Sequence, residues 1–211
     1  MKVNEIYRSI QGESSYVGLP CVFVRLTYCN LRCFYCDTKY AFYEGRDYSI
    51  QQILQEVTPF DCSLVEVTGG EPLLQDEVYP LMDQLVEKGY KVLLETSGSM
   101  DIDKVNPRVI KIMDLKCPSS GESHRNRYSN LGKLQSQDEV KFVIGDRNDY
   151  LWVKDILQNY CLSDRCLVLL STVFETLQPQ QLAQWLLEDN LQVRFQLQIH
   201  KYIWDSTVRG V

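Results

Sequence analysis

No run of apolar residues in this chain approaches the roughly 18–20 positions that a helix needs to cross a bilayer. Behind the N-terminal Met1-Lys2-Val3-Asn4-Glu5 there is no apolar segment with a cleavage site, so secretion is not expected and the cytoplasm is the expected location. Positive charge is in short supply. Lys and Arg number 22 against 28 Asp and Glu, a formal net charge of −6, which argues against nucleic acid as the main partner. Low-complexity tracts, long linkers and internal repeats are also missing. The 211 residues leave room for one sizeable core, so a single domain over 1–211 is expected.

What the chain does have is cysteine: eight of them, with no export signal. A disulfide framework belongs to oxidising compartments and to domains too small to bury a core. Neither condition holds, so the cysteines read as thiols, some of them metal ligands.

Short β-branched or apolar runs alternate with segments of helical period. Strands are expected at 21–27, 64–68, 91–96, 109–114, 139–144, 166–170 and 193–200. Helices are marked by Ile50, Ile53, Leu54 and Val57 behind a capping Ser49, and by Val78, Leu81, Met82, Leu85 and Val86, ended by Gly89. Two more are marked by Val153, Ile156, Leu157 and Tyr160, and by Leu182, Trp185 and Leu186. Such alternation predicts right-handed βαβ units, an α/β class and a mainly parallel sheet. Ligands of these sheets gather in the loops at the carboxyl ends of the strands, where every motif below falls.

Cys29-Asn-Leu-Arg-Cys33-Phe-Tyr-Cys36 follows the first core strand. Three thiolates on one loop suit an iron–sulfur cluster with one iron left open, or zinc if a fourth ligand lies nearby, or a set of buried thiols. The other cysteines, Cys21, Cys62, Cys117, Cys161 and Cys166, lack paired zinc-ribbon spacing and read as small buried hydrophobes, with Cys117 set apart by its neighbour Lys116. Thr68-Gly69-Gly70-Glu71-Pro72 follows the next strand; adjacent glycines permit close approach of backbone to a ligand or simply turn the chain.

The cysteine spacing, with aromatic Tyr35 before the last cysteine, resembles the signature of radical S-adenosylmethionine enzymes, and the glycine segment resembles that superfamily's second mark. The resemblance implies a [4Fe–4S] cluster on Cys29, Cys33 and Cys36. Its open iron would be chelated by S-adenosylmethionine, whose reductive cleavage yields a 5′-deoxyadenosyl radical. Ile10-Gln11-Gly12-Glu13, Cys36-Asp37-Thr38, Glu95-Thr96-Ser97-Gly98 and Gln198-Ile199-His200-Lys201-Tyr202 are further similar to 7-carboxy-7-deazaguanine synthases. That resemblance spans nearly the whole chain. It implies a reduced partial (β/α)6 barrel of the radical SAM type and conversion of 6-carboxy-5,6,7,8-tetrahydropterin to 7-carboxy-7-deazaguanine with loss of ammonia.

Residue by residue, the family likeness implies that Ile10, Gln11, Gly12 and Glu13 line a pterin pocket. Arg25 would pair with the substrate carboxylate, Thr68 would touch substrate, and Thr38 would ligate Mg2+. Tyr35, Cys36 and Asp37 would meet the adenosyl moiety and Gly70 the S-adenosylmethionine amino group. Glu95 would bind substrate or accept a loop hydrogen bond, and His200 would join the substrate pocket. Where many members have Ser-Pro-Lys, this chain has Asp114-Leu115-Lys116, so Asp114 would replace a serine contact to S-adenosylmethionine. Ser171 stands in another S-adenosylmethionine segment with altered side chains. In some members the terminal carboxylate reaches substrate, which directs attention to Val211. Family practice adds a flavodoxin- or ferredoxin-type electron donor and a homodimer. The alternatives are a glycyl-radical activating enzyme of the same superfamily and a zinc-stabilised adaptor without catalysis.

Overall fold

A computed structural model describes residues 1–205 and 208–211. The strands are β1 (Lys2–Ile10), β2 (Pro20–Leu26), β3 (Arg46–Asp47), β4 (Leu64–Gly69), β5 (Lys91–Thr96), β6 (Ile110–Asp114), β7 (Glu139–Ile144), β8 (Leu167–Thr172) and β9 (Arg194–Phe195). The helices are α1 (Ile50–Val57), α2 (Val78–Glu87), α3 (Arg147–Tyr160), α4 (Pro179–Glu188) and α5 (His200–Ile203). All nine strands form one open sheet, in the order β3-β1-β2-β4-β5-β6-β7-β8-β9. From β2 to β9 every neighbouring pair is parallel, whereas β1 runs antiparallel to both β2 and β3. The class is therefore α/β with a mostly parallel sheet that does not close. No helix among the described residues is long and apolar enough to cross a membrane.

The helices form where the sequence marks them. Ser49 caps α1 in a full capping box with Gln52. Gly89 takes the left-handed φ of 88° that ends α2, and Tyr90 N–H reaches back to Leu85 O at 3.1 Å. At the two ends of the chain one strand is unanticipated and one expectation fails. The strand β1 has no counterpart in the periodicity reading, because its residues are mostly half-buried and polar. The strand expected at 193–200 shrinks to two paired residues, and His200 opens a short helix instead. Among the remaining thiols, Cys21, Cys117 and Cys166 are buried as expected. Cys161, by contrast, is exposed on the left-handed residue that terminates α3.

Strand periodicity of two divides the sheet into unlike faces. Val22, Val24, Val65, Val67, Leu94 and Phe142 point one way and pack with α1–α4 into the main core. The alternate residues point the other way. Low on that second face, Cys21, Phe23, Leu64, Leu93, Ile110 and Ile112 form a separate apolar floor. Higher up, toward the carboxyl ends, the same strands carry Arg25, Glu66, Glu95, Asp114 and Lys141. These charged side chains line one cavity of about 820 Å³.

Candidate active site

The cavity gathers what the sequence scattered. Ile10, Gln11, Gly12, Glu13, Arg25, Thr68, Glu95, His200 and Val211 line it, and so do Cys29, Cys33, Tyr35, Cys36, Asp37, Thr38, Gly70, Asp114 and Lys116. Leu115 and Ser171 are not among its walls. Leu115 is fully buried in the main core, and its backbone N–H donates to Lys141 O at 3.0 Å. Ser171 is fully buried with a hydroxyl that has no partner.

One end of the cavity belongs to the cysteine loop. Phe34 N–H donates to Ser120 O at 3.1 Å, Cys36 N–H to Cys33 O at 3.2 Å, and Leu31 N–H to the Cys29 sulfur at 3.4 Å. Burial pushes the Cys29 and Cys33 thiols up, Cys33 to about 11 with the Lys116 charge partly opposing it. Such thiols ionise readily only against a bound cation. No group of three His, Cys, Asp or Glu among the described residues is disposed around a single metal ion. Three thiolates on the corners of a cubane serve three different irons and need no such convergence, whereas tetrahedral zinc does. The loop therefore fits a cluster better than a structural zinc.

Next to the cysteines sits the glycine segment. A Cβ on Gly70 would collide with the Tyr28 carbonyl and lie 2.6 Å from Cys29 Cβ, so only glycine brings these two motifs together. Glu71 turns inward and is fully buried. Its carboxylate accepts from Leu73 N–H (3.1 Å), Ser97 N–H (2.8 Å), and the hydroxyls of Ser97 (2.6 Å) and Thr96 (2.9 Å). It thereby fastens the loop after β4 to the end of β5. Asp114 Oδ2 meets Lys116 at 3.1 Å and Lys141 at 3.3 Å, while its buried Oδ1 has no partner. An orphaned acceptor near the Cys33 thiol, in the cavity that Gly70 also lines, suits a polar cofactor that brings hydroxyl or amino donors, as S-adenosylmethionine does.

The opposite end is a carboxylate-rich chamber. Lys141 Nζ contacts Glu13 at 2.9 Å and also Glu95, and Gln198 donates to Glu13 at 2.9 Å. Burial would raise Glu13, yet Lys141, His200 and Gln198 together bring it down to about 2. Glu66 feels Lys141 and Arg25 too, but their pull does not overcome its burial. Burial and the nearby Glu95 push its carboxyl well above the usual range, and Gln11 Nε2 donates to it. Burial likewise lifts Glu95 and lowers His200, favouring the uncharged form of each. Gly12 packs so tightly on His200 that a Cβ would overlap the imidazole, and Gly12 O accepts from Ile199 N–H at 3.0 Å.

Arg25 is fixed from below: Nε donates to Glu5 at 2.8 Å and Nη2 to Tyr7 at 2.9 Å, with Tyr40 also on Glu5. Its remaining end-on edge keeps two N–H groups in one plane for a carboxylate. Thr38 Oγ1 donates to Asp37 at 2.9 Å, and Asp37 meets Lys201 at 2.7 Å. The threonine oxygen keeps its lone pairs for a hard cation.

Periodicity did not single out Lys141, Glu66, Gln198 or Glu71. A signal for the first two was nonetheless present: a charged residue flanked by apolar ones in a strand is either misplaced or aimed into a site. The register then brings the pair together with Arg25 and Glu95 on one face.

Comparison with known proteins agrees with this geometry. Residues 24–114 match the radical SAM superfamily. The chain is 48% identical over its full length, and the full length of the relative, to a 7-carboxy-7-deazaguanine synthase of Koribacter versatilis. It is 44% identical to that of Chlorobaculum tepidum, covering all of this chain and 97% of the relative. The fold is similar to the crystal structure of QueE from Escherichia coli, with a TM-score of 0.78 at 20% identity, covering 93% and 92% of the two chains.

Proposed function

Since the chain belongs to the 7-carboxy-7-deazaguanine synthase family of radical S-adenosylmethionine enzymes, we propose that it converts 6-carboxy-5,6,7,8-tetrahydropterin to 7-carboxy-7-deazaguanine with loss of ammonia. The observation that carries this reading is a single cavity whose one end holds three thiols and whose other end holds Arg25 among paired carboxylates.

Cys29, Cys33 and Cys36 would hold the [4Fe–4S] cluster. Gly70, Asp114 and Lys116, with backbone groups of Tyr35, Cys36 and Asp37, would receive S-adenosylmethionine. Leu115 and Ser171 lie outside the cavity lining and take no contact in this reading. When bound, the cluster and S-adenosylmethionine would supply radical chemistry at this end of the cavity.

The chain's own contribution is to bind, orient and keep the site dry. Glu13 stays ionised and suits the N–H edge of an amino-pyrimidinone; Gln11 is held in one orientation, its amide on Glu66 and its Oε1 accepting from Glu13 N–H at 2.9 Å. Arg25 offers its free edge to the substrate carboxylate, and Thr38 would ligate Mg2+ on the same side. Ile10, Thr68, Glu95, His200 and Val211 complete the substrate wall.

The whole chain, 1–211, would work as a single radical SAM domain. A flavodoxin- or ferredoxin-type electron donor, a homodimer and a cytoplasmic location accompany the proposal. The decisive test is anaerobic reconstitution with iron and sulfide, followed by turnover of the carboxypterin with S-adenosylmethionine and a reductant. The product, read by mass, should have lost one ammonia from the substrate and should require Mg2+. A protein that takes up no iron, or one that cleaves S-adenosylmethionine but leaves the pterin intact, would defeat this reading.

A further inference from the structure

The Lys141 side chain is 3% exposed and lies within contact of three carboxylates from three different parts of the chain. Glu13 comes from the loop after β1, Glu95 from the end of β5, and Asp114 from the end of β6. A lysine ammonium has three N–H bonds and no acceptor. Two of these bonds are directed to Glu13 and Glu95, and Asp114 Oδ2 lies 3.3 Å from the same nitrogen, so the ammonium is engaged by the protein's own carboxylates. What it fixes is the relative placement of those carboxylates.

We propose that Lys141 is a positioning residue for the substrate half of the cavity, its one buried ammonium holding Glu13 and Glu95 as a fixed pair of acceptors and tying that pair to Asp114 on the cofactor side. This rests on the functional reading above and goes beyond it.

Electrostatics make the arrangement depend on this one cation. Around Lys141 stand Glu13, Glu66, Glu95, Asp114 and Glu139, with Lys116 and His200 as the other basic groups. Lys116 is paired to Asp114 at 3.1 Å. It therefore cannot replace Lys141 between Glu13 and Glu95. Arg25 is committed to Glu5 and Tyr7. Without Lys141 the two glutamates face each other unneutralised in a buried chamber, and they must separate or take up a proton. Either outcome removes an acceptor from the substrate wall.

The test is anaerobic calorimetry of the reconstituted enzyme, wild type against Lys141→Met and Lys141→Arg, with the carboxypterin and with S-adenosylmethionine titrated separately between pH 5.5 and 8. Wild-type affinity for the carboxypterin should be flat across this range. Lys141→Met should keep its iron content and bind S-adenosylmethionine within about threefold of wild type, because Asp114 retains Lys116. Its carboxypterin affinity should fall at least tenfold at pH 8 and drop further as pH falls to 5.5. Lys141→Arg keeps the charge but not the three-way geometry, so its profile should stay flat at an affinity about tenfold lower.

Equal carboxypterin affinity in wild type and Lys141→Met overturns the inference alone. A wild type that does not bind the carboxypterin overturns the functional reading and the inference with it. If Lys141→Met does not fold, Lys141→Arg decides: affinity within twofold of wild type would sink the positioning role.

Discussion

Replacing Glu71 with glutamine changes one atom and should break the joint between the two motif loops. The carboxylate accepts two backbone N–H groups, one on each oxygen: Leu73 N–H on Oε1 and Ser97 N–H on Oε2. Hydroxyls of Thr96 and Ser97 could rotate to suit an amide, but backbone N–H groups cannot. Whichever way the new amide is turned, its NH2 faces a backbone donor. One buried N–H is left unsatisfied, at about 1–3 kcal/mol, and the charge assistance of the other bonds is lost. A total of about 3 kcal/mol is expected, equivalent to a fall of roughly 6–12 °C in Tm for a domain of this size. The damage is local to Gly70 and Ser97, so S-adenosylmethionine affinity should drop at least tenfold. Thr96→Val keeps both backbone donors on the carboxylate but strips the Gly98 N–H of its acceptor at 3.2 Å, so it should cost about 1–3 kcal/mol with the Glu71 charge still in place. Thermal melts and anaerobic calorimetry of both variants check the sum. A Glu71→Gln protein melting within a degree of wild type, with unchanged S-adenosylmethionine affinity, would refute the view of Glu71 as a strut.

Arg25→Ala should lower kcat/KM for the carboxypterin by about 2–4 kcal/mol, since a buried carboxylate would lose its charged fork; a steady-state loss under tenfold would place Arg25 outside the contact. Glu66 binds its proton more tightly folded than unfolded, so its ionisation costs stability as pH rises above the unfolded carboxyl range, until the raised folded value is passed. Glu66→Gln mimics the protonated acid and should match wild type near pH 4 but exceed it at pH 8 by at least about 1 kcal/mol in urea melts, whereas equal stability at both would contradict the burial argument. Gly12→Ala pushes its new methyl into His200. It should raise the KM for carboxypterin about tenfold with cluster content intact, and an unchanged KM would show that the imidazole yields freely.

The legible part of this protein was its periodic part. Helices α1 and α2 and strands β5 and β7 emerge with the bounds that apolar spacing and capping residues suggest. The two motif loops are recognisable because cluster and glycine chemistry tolerate few substitutes. Strand β1 escaped because the short β3 covers only Lys2 and Val3 on its outer side, which leaves it half-buried and without a clean alternation. Residues 193–200 misled in the opposite sense: their alternation is real, yet only Arg194 and Phe195 find a partner in β8. Lys141 escaped for another reason. Its meaning lies in Glu13, 128 residues away, and Glu95, 46 away, and no local pattern encodes such meetings.

The hydrogen bond from Ile199 to Gly12, with the packing of His200 on that glycine, has a consequence for how the molecule comes into being. During synthesis the sheet from β1 to β8 emerges first, carrying the thiol loop and the glycine segment. The wall proposed to meet the pterin is finished only when Ile199 and His200 arrive and pack against Gly12, laid down near the start. A growing chain can therefore own a place for the radical's source before it owns a place for the radical's target.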